Sequence, residues 1–148
     1  MKVVSGRPWF TCRARGALTA AVLAAAVAPV ASAATPPFVA TLKTPHTQPR
    51  ANRLWDITVT AKSHHGKPLK ATAYYQFLFQ GQVVSTQYPY PGTQGKGIRH
   101  SPWPFTGHFT DQLLFPARSV GVSLTLRVVV AAKGLGTVKL DHNIRVHT

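Results

Sequence analysis

The chain has 148 residues, 17 of them lysine or arginine and three of them aspartate, and its formal net charge is +14. A charge of this sign favours polyanionic partners, although a basic surface also serves simply to keep a protein soluble. Three carboxylates leave little material for the paired-carboxylate chemistry of glycoside hydrolysis, and one cysteine excludes an intramolecular disulfide.

The first 33 residues have the pattern of a cleaved export signal. Four basic residues precede an alanine-rich apolar run, 17–30, and Ala31-Ser32-Ala33 then supplies the small residues that a signal peptidase cuts after. The run is shorter than the roughly 20 residues of a transmembrane helix, and Cys12 precedes it, whereas a lipoprotein cysteine stands at the cleavage site. We therefore expect a secreted protein without a transmembrane anchor. Cleavage removes four basic residues and no acidic one, which leaves a net charge of +10.

Past the signal, hydrophobicity alternates with a period of two, which predicts strands with one buried face. We expect a tether at 34–52 with one short strand, 38–42, and a folded domain at 53–148. The first clear strand is 54–61, and a turn follows at 64–68. The strand at 71–79 has Ala73, Tyr75, Phe77 and Phe79 on one face, and we expect both of its faces to be largely buried, as in a central strand. A tight connection at 80–82 joins it to 83–88 as a hairpin.

The second half begins with an irregular stretch, 90–104, which is rich in proline and glycine. A strand at 108–114 follows and is broken at 115–118. The strand at 123–132 points Leu124, Leu126, Val128 and Val130 to one side. A glycine turn at 133–136 leads to the closing strand, in which Asp141-His142-Asn143 predicts a bulge.

About seven short strands in roughly 100 residues predict an all-β fold, a two-sheet antiparallel sandwich of the immunoglobulin-like kind. The motifs Leu54-Trp55-Asp56-Ile57-Thr58-Val59, Gly66-Lys67-Pro68-Leu69 and Leu124–Val130, with the closing Ile144-Arg145-Val146, resemble bacterial immunoglobulin-like and fibronectin-type-III-like domains of exported proteins. The resemblance covers 38–146 and lacks the immunoglobulin cysteine pair. It implies a spacer, an adhesion module or an accessory binding domain, and no catalytic residues.

The sequence does not favour an enzyme, a metal site or a cofactor. No G-x-S-x-G motif is present. Of the seven histidines, His108 lies three positions before Asp111, a spacing that points the two side chains to opposite faces of a strand. His64 and His65 are adjacent on a turn, where two imidazoles seldom chelate one ion.

The candidate binding residues are basic or aromatic and lie in two segments, 62–70, which contains the turn, and 88–105, which contains the irregular stretch. The rings of Tyr88, Tyr90, Trp103 and Phe105 either form a platform for sugars beside the cations or fold inward to cap the core, and the free energy of burial favours the cap. The candidate contacts are Lys62, Lys67, Lys70, Lys96, Arg99, His100 and Trp103.

Two functions remain open. In the first, the protein is associated with the cell wall and binds an anionic cell-wall polymer or polysaccharide. In the second, it is a structural or protein-binding module whose edge strand adds to a partner, and its charge is incidental. Specific nucleic-acid binding is not expected, because the protein is exported and offers no helix to a groove. Salt separates the two functions, since polymer binding weakens with ionic strength and main-chain pairing persists.

Overall fold

The computed structural model describes residues 35–45, 48–92 and 99–148, and the predicted export signal and Lys96 lie outside these ranges. The described residues form eight β-strands and one 3-10 turn, Ala117–Ser119, which confirms the all-β prediction. They belong to a compact unit, Ala34–Thr148. The strands are β1 Val39–Lys43, β2 Leu54–Lys62, β3 Lys70–Phe79, β4 Gln82–Gln87, β5 Trp103–Thr106, β6 His108–Leu114, β7 Ser123–Ala132 and β8 Gly136–Arg145.

The strands form two antiparallel sheets, as the sequence predicts. One sheet has the order β1-β2-β6, and the other has the order β4-β3-β7-β8. Strand β7 pairs with residues 71–78 of β3, so β5, at residues 70–73, and β4, at residues 75–79, both lie on the other side of β3. Strand β3 is therefore central.

The core is a layer of alternating side chains from both sheets. Ile57 and Val59 from β2 and Leu126, Val128 and Val130 from β7 are fully buried. This is the expected result of a period-two pattern on strands with one inward face. Trp55 and Phe77 also lie in the core.

The hairpin between β3 and β4 is confirmed, but the predicted alternation fails at the end of β3. Gln80 and Gly81 have φ angles of 50° and 81°, the left-handed conformations that a two-residue hairpin turn requires. Leu78 is 4% exposed, whereas Phe79, predicted on the face of Tyr75, is 44% exposed. Phe79 lies beyond the pairing with β7, which ends at Leu78, so that strand does not flank it.

A single glycine carries the chain from one sheet to the other. Gly107 separates β5 from β6, and its φ of 76° favours glycine. Its N–H donates to the Leu69 carbonyl at 3.0 Å, and its own carbonyl accepts the Ala61 N–H at 2.7 Å. The expectation of an irregular chain through Pro104 is wrong from residue 103 onward, because Pro104 is tolerated in β5, at the edge of its sheet.

Strand β8 is continuous, so the bulge predicted at Asp141-His142-Asn143 is wrong. Its register with β7 runs without a shift from the Ser123–Arg145 pair to the Ala132–Gly136 pair. His142 therefore takes an inward position, with its ring centroid 6.0 Å from that of Trp55. Histidine interrupts the apolar pattern in the sequence but does not interrupt the ladder, whose hydrogen bonds come from the main chain.

Candidate polyanion-binding surface

Three of the candidate lysines lie together around the connection between β2 and β3. Lys62 ends β2, Lys67 lies in the turn and Lys70 begins β3, and all three are exposed. The turn is fixed by Ser63, whose N–H donates to the Lys67 carbonyl at 2.8 Å and whose Oγ accepts the Lys67 N–H at 3.2 Å. The turn predicted at 64–68 is therefore confirmed, and it holds these cations at one end of the fold.

The register between β3 and β7 adds a fourth lysine, Lys133, which in the sequence is only part of a glycine turn. Ala71 pairs with Ala132, so Lys70 and Lys133 follow at the next position on either strand. Both lysines line one groove of about 510 Å³, which also includes Thr72, Pro104 and Ala131. No local sequence signal marks Lys133 as a binding residue, because it comes next to Lys70 only through the pairing of two strands that are distant in sequence. We call Lys62, Lys67, Lys70 and Lys133 the lysine end.

The three carboxylates of the chain lie elsewhere, and each has a partner. Asp56 accepts a hydrogen bond from Gln112 Nε2 at 2.7 Å, and Asp141 accepts two from Arg127 at 2.7 and 2.8 Å. The hydrogen bond from Arg127 lowers the pKa of Asp141. Among the described residues, Arg127 and Asp141 form the only ion pair. The lysine end is thus left without a compensating carboxylate.

The third carboxylate, Asp111, is buried between the sheets. Its side chain is inward on β6, and its Oδ2 accepts a hydrogen bond from the Tyr75 hydroxyl at 3.0 Å. Burial raises the pKa of Asp111. Hydrogen bonds from the backbone of Gln112, the Tyr75 side chain and the backbone of Tyr90 act in the opposite direction and offset part of this rise. His108 is exposed whereas Asp111 is buried, so the predicted opposite orientation of these two side chains is confirmed.

The irregular stretch holds a second group, in which Arg99 lies over Trp103. The guanidinium carbon is 5.1 Å from the ring centroid, and Arg99 Nε donates to the Ser101 carbonyl at 3.0 Å. The Tyr90 ring also lies beside Trp103, and the two ring centroids are 6.2 Å apart. Arg99 is therefore engaged in organising its own loop. His100 is exposed.

The aromatic rings of this stretch do not all have the same role: the sequence leaves open whether they cap the core or form a binding platform. Phe105 is buried, and its ring lies 4.8 Å from that of Phe109, so it caps the core. Trp103 is half-buried and packs against the core, while Tyr90 is 40% exposed. Trp103 thus combines a packing role with a partly open ring.

The two groups lie along one edge of β3. Lys70 pairs with Thr106 and Ala73 pairs with Trp103, so their positions on β3 are three residues apart. At about 3.3 Å per residue the separation is roughly 10 Å along the strand. Because an odd spacing along a strand points side chains to opposite faces, Lys70 lies on the exposed face of the sheet and Trp103 on the face that packs against the core, so the pairing does not bring the two groups onto one surface.

The comparisons with known proteins give no relative: no protein-family model matches the chain, and no curated protein is similar to it. Across the part of the chain that the structure describes, no three histidine, cysteine or acidic side chains are grouped as metal ligands would be. Nor do those residues include a helix with the length and hydrophobicity of a membrane span.

Proposed function

We propose that this protein is an exported, non-enzymatic, immunoglobulin-like module that binds an anionic cell-wall polymer through its lysine end. The observation that carries the proposal is the separation of charge. Three lysines lie around the β2–β3 connection and a fourth, Lys133, lines a groove with one of them, Lys70, while the three aspartates are engaged at Gln112, at Tyr75 and at Arg127. A surface of one sign attracts a polymer of the other sign and raises its local concentration.

The strand order supports the immunoglobulin-like part of the proposal. If β1, β2, β3, β6, β7 and β8 are lettered A, B, C, E, F and G, the sheets become A-B-E and C-F-G, with β4 beside C. For the six lettered strands this division resembles that of immunoglobulin sandwiches, whereas β5 pairs with C and, among the described residues, no strand D lies beside E. Domains of this architecture commonly present binding surfaces at their ends and edges, where turns project from a rigid scaffold.

Export rests on the sequence of the first 33 residues. Cleavage after Ala33 would remove no residue of any described strand, because β1 begins at Val39. The test is the mass of the protein recovered from the culture medium or cell wall. A mature chain that begins at Ala34 supports export, and a chain that keeps residues 1–33 contradicts it.

The absence of enzymatic activity is proposed from the state of the acidic residues. Asp111 is 8% exposed and bonded to a tyrosine, Asp141 is paired with an arginine, and Asp56 is bonded to an amide. A general acid or base needs access to a substrate proton. None of these arrangements offers a free carboxylate beside a second one, as glycoside hydrolysis requires.

The test is co-sedimentation of residues 34–148 with bacterial cell walls over a salt series, using walls with and without their anionic polymers. We expect binding that requires the polymers and weakens steeply between low and physiological salt, because the Debye length shortens to about 8 Å at 0.15 M. Absence of binding at low salt would contradict the proposal.

A charge-matched pair of variants locates the binding surface. Replacing Lys62, Lys67 and Lys70 by glutamine should abolish most of the binding. Replacing Lys43, Arg118 and Lys139 by glutamine removes the same charge from other exposed positions. Equal weakening in both variants would mean that net charge alone drives the association.

Strand addition to a protein partner would have to use β8, the ten-residue, unbulged strand at the opposite edge of the larger sheet, because the β4 edge is protected. The free edge at β4 is six residues long and carries a bulge, because Phe77 pairs with Ser85 and Leu78 pairs with Val83, leaving Val84 unmatched. A short, bulged edge is a common protection against strand addition. Binding to walls that resists salt and needs no anionic polymer would favour this second function.

A further inference from the structure

The groove beside Lys70 and Lys133 has an unfavourable arrangement of charge. The two lysines follow the Ala71–Ala132 pair on adjacent strands, and both line the groove. Like charges opposite each other on neighbouring strands destabilise a sheet. No carboxylate lines this groove to offset them. An anion bound between the two ammonium groups would remove the repulsion.

The floor of the same groove is small and largely apolar. Thr72, Pro104 and Ala131 line it, together with the backbone and side chains of neighbouring positions on β5. Phe105 is the one aromatic residue among the lining residues, and it is 9% exposed because its ring packs against Phe109. The groove therefore has no open ring on which a nucleobase could stack, and stacking is the usual source of affinity for single-stranded nucleic acid.

We propose that this groove is a subsite for a phosphodiester-linked polyol chain. Lys70 and Lys133 contact phosphate groups, and the saturated carbons between them lie on Pro104 and Ala131. Lysine suits this role because its ammonium acts as a point charge and tolerates a flexible ligand. The inference rests on the proposed function and specifies the chemistry of the polymer.

The test uses a short poly(glycerol phosphate) oligomer, titrated into isotopically labelled residues 34–148 and followed by NMR. We expect the backbone amide signals of Lys70, Thr106, Ala131 and Lys133 to shift together. The double variant Lys70→Gln/Lys133→Gln should bind about tenfold more weakly or worse, because two charge-assisted contacts are lost. The matched double variant Lys43→Gln/Lys139→Gln should lose much less.

Thermal unfolding without ligand gives a second, independent measurement. Because the repulsion is removed, Lys70→Gln/Lys133→Gln should melt at the same temperature as the parent or higher. This result also shows that the variant is folded, so weaker binding cannot be attributed to unfolding. A clearly lower melting temperature would contradict the arrangement of charge on which the proposal depends.

Four other outcomes overturn the inference. Equal weakening in the two double variants would show that there is no subsite. Inorganic phosphate binding as tightly as the oligomer would reduce the groove to an isolated phosphate site. A single-stranded DNA oligonucleotide with the same number of phosphates competing equally would remove the preference for a polyol. If the protein binds cell walls but not the oligomer, only this inference is overturned. If it binds neither, the proposed function is overturned as well.

Discussion

The hydroxyl of Tyr75 on β3 donates a hydrogen bond of 3.0 Å to Oδ2 of Asp111 on β6, and this bond crosses the core from one sheet to the other. Burial, followed by the charge of Asp111, raises the pKa of Tyr75, so the phenol keeps its proton and remains a donor. Asp111 also accepts a hydrogen bond from the backbone of Tyr90. One buried carboxylate therefore links both sheets to the start of the irregular stretch.

Removing the tyrosine hydroxyl should destabilise the fold. In Tyr75→Phe the ring remains, but Asp111 loses its side-chain donor inside the core and keeps only the backbone donors of Gln112 and Tyr90, and the loss of one hydrogen bond to a charged group costs about 1.5–3 kcal/mol. Urea unfolding of the variant and the parent at neutral pH measures this loss. Tyr74→Phe, at the next position on the half-buried outer side of β3, is the control and should change stability little.

The carboxylate should give the protein a specific dependence on pH. Because the pKa of Asp111 is raised above its ordinary value of 3.8, its contribution to stability is fully present below that value and is lost as pH rises through the folded-state pKa. The free energy of unfolding of the parent, relative to Asp111→Asn, should therefore decrease as pH rises from 3.8 toward 7.

Asp141 should affect the pH dependence of stability in the opposite direction, and Asp141→Asn tests this. The pKa of Asp141 is lowered, so its contribution is present above 3.8 and is lost only as pH falls below that value. The difference in the free energy of unfolding between Asp141→Asn and the parent should stay constant between about pH 5 and 7. A slope for Asp141→Asn in that interval, or none for Asp111→Asn above 3.8, would contradict this assignment.

Trp103 should contribute to stability through its contact with the core. Because the ring is half-buried, Trp103→Ala should cost about 2 kcal/mol, less than the loss of a fully buried tryptophan. His100→Ala, at an exposed position of the same stretch, should cost almost nothing. If Trp103→Ala leaves the melting temperature unchanged and abolishes wall binding, the ring is a binding platform and not a cap.

Replacing His142 by leucine should stabilise the protein. Among the described residues, His142 Nε2 is a buried side-chain nitrogen without a hydrogen-bond partner, and its ring packs beside Trp55. An apolar side chain of similar volume removes that desolvation penalty, a gain of roughly 1 kcal/mol. Thermal unfolding measures it, and His108→Leu on the exposed face of β6 is the control. A lower melting temperature for His142→Leu would mean that the ring nitrogen has a partner in solution.

Gly107 should be harder to replace than other glycines with positive φ. A Cβ at Gly107 would lie 3.1 Å from Pro68 Cβ, whereas one at Gly134 meets nothing within 4 Å. Gly134→Ala should cost about 1–2 kcal/mol from its left-handed conformation alone. Gly107→Ala should cost more, and the difference between the two, measured by urea unfolding, isolates the contact with Pro68. Equal costs would show that Pro68 moves aside without penalty.

Much of the strand pattern can be predicted from the sequence, because alternation is a local property. Leu124, Leu126, Val128 and Val130 specify which side of β7 faces the core, and Gln80-Gly81 specifies a tight hairpin. Local prediction fails where the neighbouring strand decides the outcome. Phe79 is exposed because it lies beyond the pairing of β3 with β7, and Pro104 enters β5 because an edge strand tolerates it.

The candidate site divides in the same way. Lys62, Lys67 and Lys70 are grouped by a turn that the sequence itself predicts, because they are close along the chain. The position of Lys133 beside Lys70, and of Tyr75 beside Asp111, depends on which strands pair or face each other and in what register. Alternation determines whether a side chain points inward or outward, but its partner is selected by packing between strands that are distant in sequence. The sequence therefore determined the strands other than β5, the turn and the excess of positive charge, and only the tertiary structure decided which charges are neutralised and which are left free.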